Sequence, residues 1–173
     1  MSFCLIILAA GNSSRFRSNV GKPYQKIGGK SLIEINLIKA QKFKQIKKII
    51  LVYNKKDLKL IKLLKLKNVK LVAGGKSRQQ STLHALKFLI NHKGSNKVLI
   101  HDVARPNFST KLISSIFKNM EKAKAVVPKL YIQDAIKQII DTSKDEYIVG
   151  KKRDNLFLTQ TPQAFNLKEI YHL

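Results

Sequence analysis

Apolar positions along this chain fall into short continuous runs, and between them lie stretches in which apolar residues recur with helical spacing. Residues 3–9, FCLIILA, are apolar throughout and lead into Ala10-Gly11, as a strand covered on both faces would. In SLIEINLIKAQKF (31–43) apolar residues return every three or four positions, and Ser31 with Glu34 three residues on makes a capping box, so a helix is expected there. The pattern continues with a strand over 47–54, a Lys/Leu-rich helix over 56–65, a strand over 69–75 and a helix over 78–92. A strand over 97–102 (KVLIHD), a helix over 109–123 opening on Ser109 and Thr110, and a further strand in KAVVPKL follow. Such alternation predicts βαβ units and a doubly wound, three-layer α/β/α domain with a mostly parallel sheet. Ligands in such sheets sit beyond the carboxyl ends of the strands. After residue 128 the alternation weakens into short pieces around a polar turn, the pattern of a β-arm or hairpin, and a last helix starts at Asn166. Without repeats or a linker, the expectation is one domain over 1–173 with 134–159 as the arm.

Composition narrows the class. Of the 173 residues 44% are apolar and 25% charged, which suits a soluble globular protein, and no apolar run approaches the roughly 20 residues of a membrane span. The opening MSFCLIILAAG lacks the basic start and long apolar stretch of a signal peptide, so the cytoplasm is the expected location. The one cysteine, Cys4, is expected to be a buried small hydrophobe. A net charge of +24, from 34 Lys+Arg against 10 Asp+Glu, favours anionic partners: nucleic acid, a membrane surface or phosphorylated small molecules. Lysines, however, are spread over nearly every segment at spacings that suit solvated helix faces, and no RRM, KH or helix-turn-helix signature supports a nucleic-acid-binding module. The five arginines, Arg15, Arg17, Arg78, Arg105 and Arg153, are more selective, and most lie in segments where a planar, two-pronged donor is useful.

Several segments suggest chemistry. In LAAGNSSRFRSNVGKPY (8–24) the small residues Ala9, Ala10 and Gly11 let backbone N–H groups approach a ligand, and Arg15 and Lys22 can bracket a triphosphate. The loop is neither a Walker loop nor a G-x-G-x-x-G turn. Gly74 and Gly75 permit close approach to a base, and Ser81 in the following helix can hydrogen-bond a pyrimidine edge or ribose. Asp102, closing a strand, is a hard carboxylate suited to holding Mg²⁺ against phosphate oxygens, and Arg105 is suited to an acceptor's phosphate or hydroxyls. Arg78 reads equally well as a salt-bridging helix residue, and His101 as a packed strand residue rather than a base. His84, His92 and His172 look like helix-face residues that form no triad or metal set.

Four segments carry a family resemblance. LAAGNSSRFRSNVGKPY resembles the signature loop of nucleotidyltransferases, and GGKSRQQST (74–82) their GG-x-x-R-x-x-S-V segment. HDVARP (101–106) closely resembles the HDAARP box of the 2-C-methyl-D-erythritol 4-phosphate cytidylyltransferases, and TPQAF (161–165) their TPQ-F segment. The resemblance implies a Rossmann-like nucleotidyltransferase fold and an enzyme of non-mevalonate isoprenoid biosynthesis that moves CMP from CTP to 2-C-methyl-D-erythritol 4-phosphate with the help of Mg²⁺. It implies catalytic roles for Arg15, Lys22 and Arg153, and nucleotide binding by Ala9, Ala10, Gly11, Gly75 and Ser81. Arg105, Thr161 and Asp102 would bind substrate, with Asp102 also the metal ligand. Segment 134–159 resembles the family's subunit-crossing β-arm, which implies a homodimer. Two departures stand out. DAIK (134–137) puts Ala135 where the family has threonine, which leaves ribitol 5-phosphate or another polyol phosphate as an alternative acceptor. The family's fold also continues past the point reached at Leu173, so a piece of a longer, even bifunctional, chain is expected.

Overall fold

The structure is a computed structural model and describes residues 1–11, 20–92, 95–141 and 146–173, the side chains of 146 and 147 excepted. In chain order, β1 (Phe3–Ala9) is followed by the short strands β2 (Lys26–Ile27) and β3 (Lys30–Ser31), α1 (Leu32–Ala40), β4 (Ile46–Tyr53) and α2 (Leu58–Leu63). Next come β5 (Val69–Ala73), α3 (Arg78–Asn91), β6 (Lys97–Asp102) and α4 (Thr110–Asn119). The chain continues through β7 (Ala125–Val126), β8 (Lys129–Tyr131), β9 (Ile136–Asp141), β10 (Glu146–Lys151), β11 (Phe157–Thr159), β12 (Gln163–Asn166) and α5 (Leu167–Tyr171).

The main sheet runs in the order β5-β4-β1-β6-β12-β7. Its first four strands are mutually parallel, and β12 runs antiparallel to both β6 and β7. The central place of β1 explains its unbroken apolar run. Side chains alternate along a strand, so Phe3, Leu5, Ile7 and Ala9 enter one core while Cys4, Ile6 and Leu8 enter the other. Leu32, Ile33 and Leu37 of α1, Ile61 of α2, and Ile113, Ile116 and Phe117 of α4 close the first core; Ala85, Leu86 and Leu89 of α3 with Leu167 of α5 close the second. This is the three-layer α/β/α arrangement expected of a nucleotidyltransferase. Burying an aliphatic side chain such as Ile7 is worth about 1.5–3 kcal/mol, so these two cores carry the fold's stability. Cys4 is fully buried and unpaired, its thiol pushed up to about 12 by burial, which leaves it a packing residue.

Local chemistry sets the boundaries. Ser31 caps α1 as expected: its side chain accepts the Glu34 N–H, and the Glu34 carboxylate accepts the Ser31 N–H. The second helix is shorter than the expected 56–65, because the Asn54 side chain accepts the Lys56 N–H and winds Lys55–Asp57 into a 3-10 turn. KAVVPKL is not one strand. Pro128, which has no N–H to give a ladder, separates β7 in the main sheet from β8, which pairs antiparallel with β11 outside it. Within residues 134–159, β9 and β10 form an antiparallel hairpin. Its cross-strand partners Ile139 and Ile148 are 60% and 66% exposed, and the paired Tyr131 and Phe157 of the neighbouring ribbon are exposed as well. Among the described residues no helix is long and apolar enough to cross a membrane.

Candidate functional site

A crevice of about 690 Å³ opens beyond the carboxyl ends of β1, β4, β5 and β6. Ala9, Ala10 and Gly11 reach it from β1, Asn54, Lys55 and Lys56 from β4, Gly74–Arg78 and Ser81 from β5 and α3, and Asp102–Arg105 from β6. Lys22 stands on its wall, anchored by the buried Pro23 and Tyr24. Lys22, Lys55, Lys56, Lys76, Arg78 and Arg105 line the crevice, and among the described residues that line it Asp102 is the one carboxylate. A concave site this rich in cations raises the local concentration of an anion such as a nucleoside triphosphate.

The strand ends are locked to one another. Asn54 Nδ2 donates to the Ala10 carbonyl at 3.4 Å, the Gly74 N–H to Tyr53 O at 2.9 Å, and the Val103 N–H to Leu8 O at 3.1 Å. The end of β5 lies so close to the loop after β1 that a Cβ on Gly74 would fall 2.3 Å from Ala10 Cβ and 3.0 Å from Ser81 Oγ. Glycine is therefore required by space at this position. The following turn is closed onto the start of α3: the Gly75 N–H donates to Ser81 Oγ at 3.0 Å, the Lys76 N–H to Gln80 Oε1 at 2.7 Å, and Ser77 caps the helix by accepting the Gln80 N–H. Ser81 is buried and fixes the glycine turn from behind while its side chain lines the crevice.

Asp102 is held between two guanidinium groups. Arg78 Nε donates to its Oδ1 at 3.0 Å, and Arg105 Nε lies 3.7 Å from its Oδ2. Arg78 thus forms a salt bridge, but to the strand-end aspartate across the crevice rather than to a neighbour on its own helix. Behind Asp102, its N–H donates to Thr161 Oγ1 at 3.2 Å, and that hydroxyl lies 3.0 Å from His101 Nδ1. His101 is fully buried, and its pKa is lowered to about 4, chiefly by burial, so the ring is neutral near pH 7.

Ala9, Ala10, Gly11, Lys22, Gly75, Ser81, Asp102 and Arg105 therefore converge on one crevice. Thr161 does not line it; it is buried and carries the backbone of Asp102. Arg153 also stands outside, exposed in the turn before β11, with its guanidinium donating to the Gln133 carbonyl. Arg15 and Arg17 lie outside the described residues. Sequence reasoning missed Asn36 and Lys39 of α1. Asn36 donates to Val103 O at 2.9 Å and Lys39 to Pro106 O at 2.7 Å, so both hold the loop after β6. A signal for Asn36 was present, a polar residue inside the buried stripe Leu32, Ile33, Leu37 and Ala40. Lys55, Lys56 and Lys76 had none, since lysine is everywhere in this chain.

Residues 3–172 match the family model described as IspD: 2-C-methyl-D-erythritol 4-phosphate cytidylyltransferase. The chain is 42% identical over 173 residues to the bifunctional enzyme IspD/IspF of Pelagibacter ubique, covering 100% of this chain and 45% of that protein. It is 35% identical over 167 residues to the bifunctional ribulose 5-phosphate reductase/CDP-ribitol pyrophosphorylase Bcs1 of Haemophilus influenzae, covering 94% of this chain and 35% of that protein. The chain thus spans less than half the length of these two relatives. Among solved structures, the 4-diphosphocytidyl-2C-methyl-D-erythritol synthase of Anaerococcus prevotii superposes with a TM-score of 0.80 at 36% identity, over 99% of this chain and 72% of that one.

Proposed function

Because the chain belongs to the 2-C-methyl-D-erythritol 4-phosphate cytidylyltransferase family, we propose that it transfers CMP from CTP to 2-C-methyl-D-erythritol 4-phosphate, giving 4-diphosphocytidyl-2-C-methyl-D-erythritol and pyrophosphate. The observation that carries this reading is the convergence of the β1 loop, the Gly74–Ser81 turn and the Asp102–Arg105 turn on one cationic crevice. The close-packed backbone at Ala9–Gly11 and Gly74–Gly75 suits a flat base and ribose, with Ser81 beside them. Lys22, with Arg15 seven residues before it in the sequence, suits the triphosphate. Arg105, beside Asp102 at the end of β6, suits the phosphate of the acceptor.

The acceptor phosphate attacks the α-phosphorus of CTP, a new P–O bond forms, and the bond to the β-phosphate breaks with departure of pyrophosphate. A phosphate is already an anion at neutral pH, so no general base is needed, and the protein's work is positioning and charge neutralisation. Buried, neutral His101 fits that account. Asp102 would hold Mg²⁺ through carboxylate lone pairs that its contacts to Arg78 and Arg105 leave over, since one strand-end carboxylate suits an ion that takes most of its ligands from phosphate and water. When bound, Mg²⁺ supplies neutralisation of charge on the phosphate oxygens. Both substrates are charged and water-soluble, so the reading puts the reaction in the cytoplasm. It also makes the protein a homodimer through arm 134–159. Support comes from the exposed apolar cross-strand pairs, from the marginal stability of a two-stranded ribbon alone in water, and from the position of Arg153 outside its own crevice.

Ala135 and the similarity to a protein named for CDP-ribitol favour a second reading, with ribitol 5-phosphate as acceptor. Pyrophosphate release by the intact protein with CTP and each acceptor in turn separates the two. We expect kcat/KM to favour 2-C-methyl-D-erythritol 4-phosphate by about tenfold or more, a discrimination of about 1.4 kcal/mol. The reverse preference would move the assignment to ribitol 5-phosphate, and no release with either would remove cytidylyl transfer.

A further inference from the structure

Five polar residues are buried among the described residues: Ser31, Asn36, Ser81, His101 and Thr161. Ser31 caps α1 and Ser81 braces the glycine turn. The other three are hydrogen-bonded to one another. We propose that Asn36 and His101 are positioning residues: with Thr161 they form a continuous hydrogen-bonded chain from α1 to the backbone of the turn after β6, and this chain aims Asp102 and Arg105 into the crevice. The inference rests on the cytidylyltransferase reading for what those two residues do there.

The chemistry of the partners fixes the Asn36 amide and the proton on His101 Nε2. Asn36 Nδ2 lies 2.7 Å from Leu32 O and 2.9 Å from Val103 O, and carbonyls only accept, so Nδ2 is the NH₂ group and Oδ1 faces His101. His101 Nε2 lies 2.9 Å from Asn36 Oδ1 and 3.1 Å from Arg105 O, two acceptors, so Nε2 carries the ring proton. In a neutral ring Nδ1 is then an acceptor, and it takes the Thr161 hydroxyl hydrogen at 3.0 Å. Thr161 Oγ1 accepts the Asp102 N–H at 3.2 Å. Donor and acceptor alternate without a break, from the Asp102 amide to the Leu32 carbonyl.

The chain touches the turn at the Asp102 N–H, Val103 O and Arg105 O, and Lys39 adds Pro106 O. Phe108 closes it with an edge-on contact to the His101 ring, centroids 4.9 Å apart. His101 itself reaches nothing in the crevice: it is fully buried, does not line it, and both its nitrogens are engaged. An apolar core of the same shape would serve stability as well as or better than a buried polar network, so what the network contributes is one fixed geometry for the turn.

Two measurements on the intact protein test this. Long-range ¹H–¹⁵N correlation spectra of the wild type, without ligand, are expected to show a neutral His101 ring protonated on Nε2; a proton on Nδ1 overturns the chain. Steady-state kinetics of His101→Leu, which severs both arms, are expected to show kcat lowered about 100-fold and a raised KM for the acceptor, with KM for CTP within about threefold, because other loops hold the nucleotide. His101→Gln, which keeps a donor for Asn36 and Arg105, is expected to recover most of kcat. A folded His101→Leu protein with wild-type kcat and acceptor KM overturns the proposal. Should that variant not fold, a His101→Gln protein as impaired as Asn36→Leu does so, because half the chain would then be worth nothing. Wild-type protein that makes no product refutes the functional reading instead, and the ring tautomer, which needs no turnover, still judges the chain.

Discussion

Gly74→Ala is expected to weaken CTP binding by about tenfold or more and to lower the melting temperature by a few degrees. The added methyl would meet Ala10 Cβ at 2.3 Å, with Ser81 Oγ at 3.0 Å and Tyr53 O at 3.4 Å on its other sides. Ala10 Cβ is rigidly attached to backbone, so the contact is relieved only by parting the end of β5 from the loop after β1, the two edges that the reading assigns to the nucleotide. Overpacking of this kind costs about 1–3 kcal/mol, roughly 5- to 150-fold if it is expressed in binding. The double variant Gly74→Ala/Ala10→Gly removes the colliding atom and should recover much of the loss. Gly21→Ala is the control: its Cβ would meet Tyr24 at an ordinary 3.6 Å, in a backbone conformation open to any residue, φ −55° and ψ 146°. Calorimetric titration of the single, double and control variants with CTP checks this; wild-type affinity in Gly74→Ala would mean the nucleotide does not lie across these strand ends.

Mixing two inactive variants is expected to restore activity. If the arm crosses to a second copy, Arg153 serves the partner's crevice, and its fork grips two phosphate oxygens where lysine would supply a point charge. A heterodimer of one Arg153→Ala subunit and one Arg105→Ala subunit then collects both lesions in one site and leaves the other intact. It should keep about half the wild-type turnover, while each parent homodimer, lacking one phosphate contact in every site, falls by about 10²–10³-fold. Tagging the two subunits differently and isolating the mixed species gives the measurement. Turnover as low as in the parents would mean that Arg153 acts on its own subunit or not at all.

Where one physical demand dominates a segment, the residues display it. β1 is read almost to the residue because a central strand must be apolar on both faces, and α1 because Ser31 and Glu34 satisfy its first N–H groups. The glycines of the β5 turn and the strand-end Asp102 were visible for the same reason, since few residue types can stand there. What escaped depends on partners distant in sequence. β12 is a four-residue strand following Pro162, and only pairing with β6 and β7 makes it part of the main sheet. The break at Pro128 needed knowledge of which strand lay alongside. Arg78 read as a helix residue in search of a carboxylate, and the carboxylate proved to be Asp102, 24 residues away. Thr161 was picked out through its motif, yet the structure sets it behind Asp102, outside the crevice lining. Asn36 was legible only as a polar interruption of an apolar stripe, because its partner His101 is 65 residues on.

On the cytidylyltransferase reading, an oxygen of the acceptor phosphate bonds to the α-phosphorus of CTP in this crevice. Turnover of CTP with acceptor whose terminal phosphate oxygens are ¹⁸O, followed by ³¹P NMR of the products, tests it directly. An isotope-shifted α-phosphorus resonance in a cytidine diphosphate ester, from ¹⁸O in the bridge, is expected together with unlabelled pyrophosphate. Label in the released phosphates, or an unshifted α-phosphorus, would contradict it.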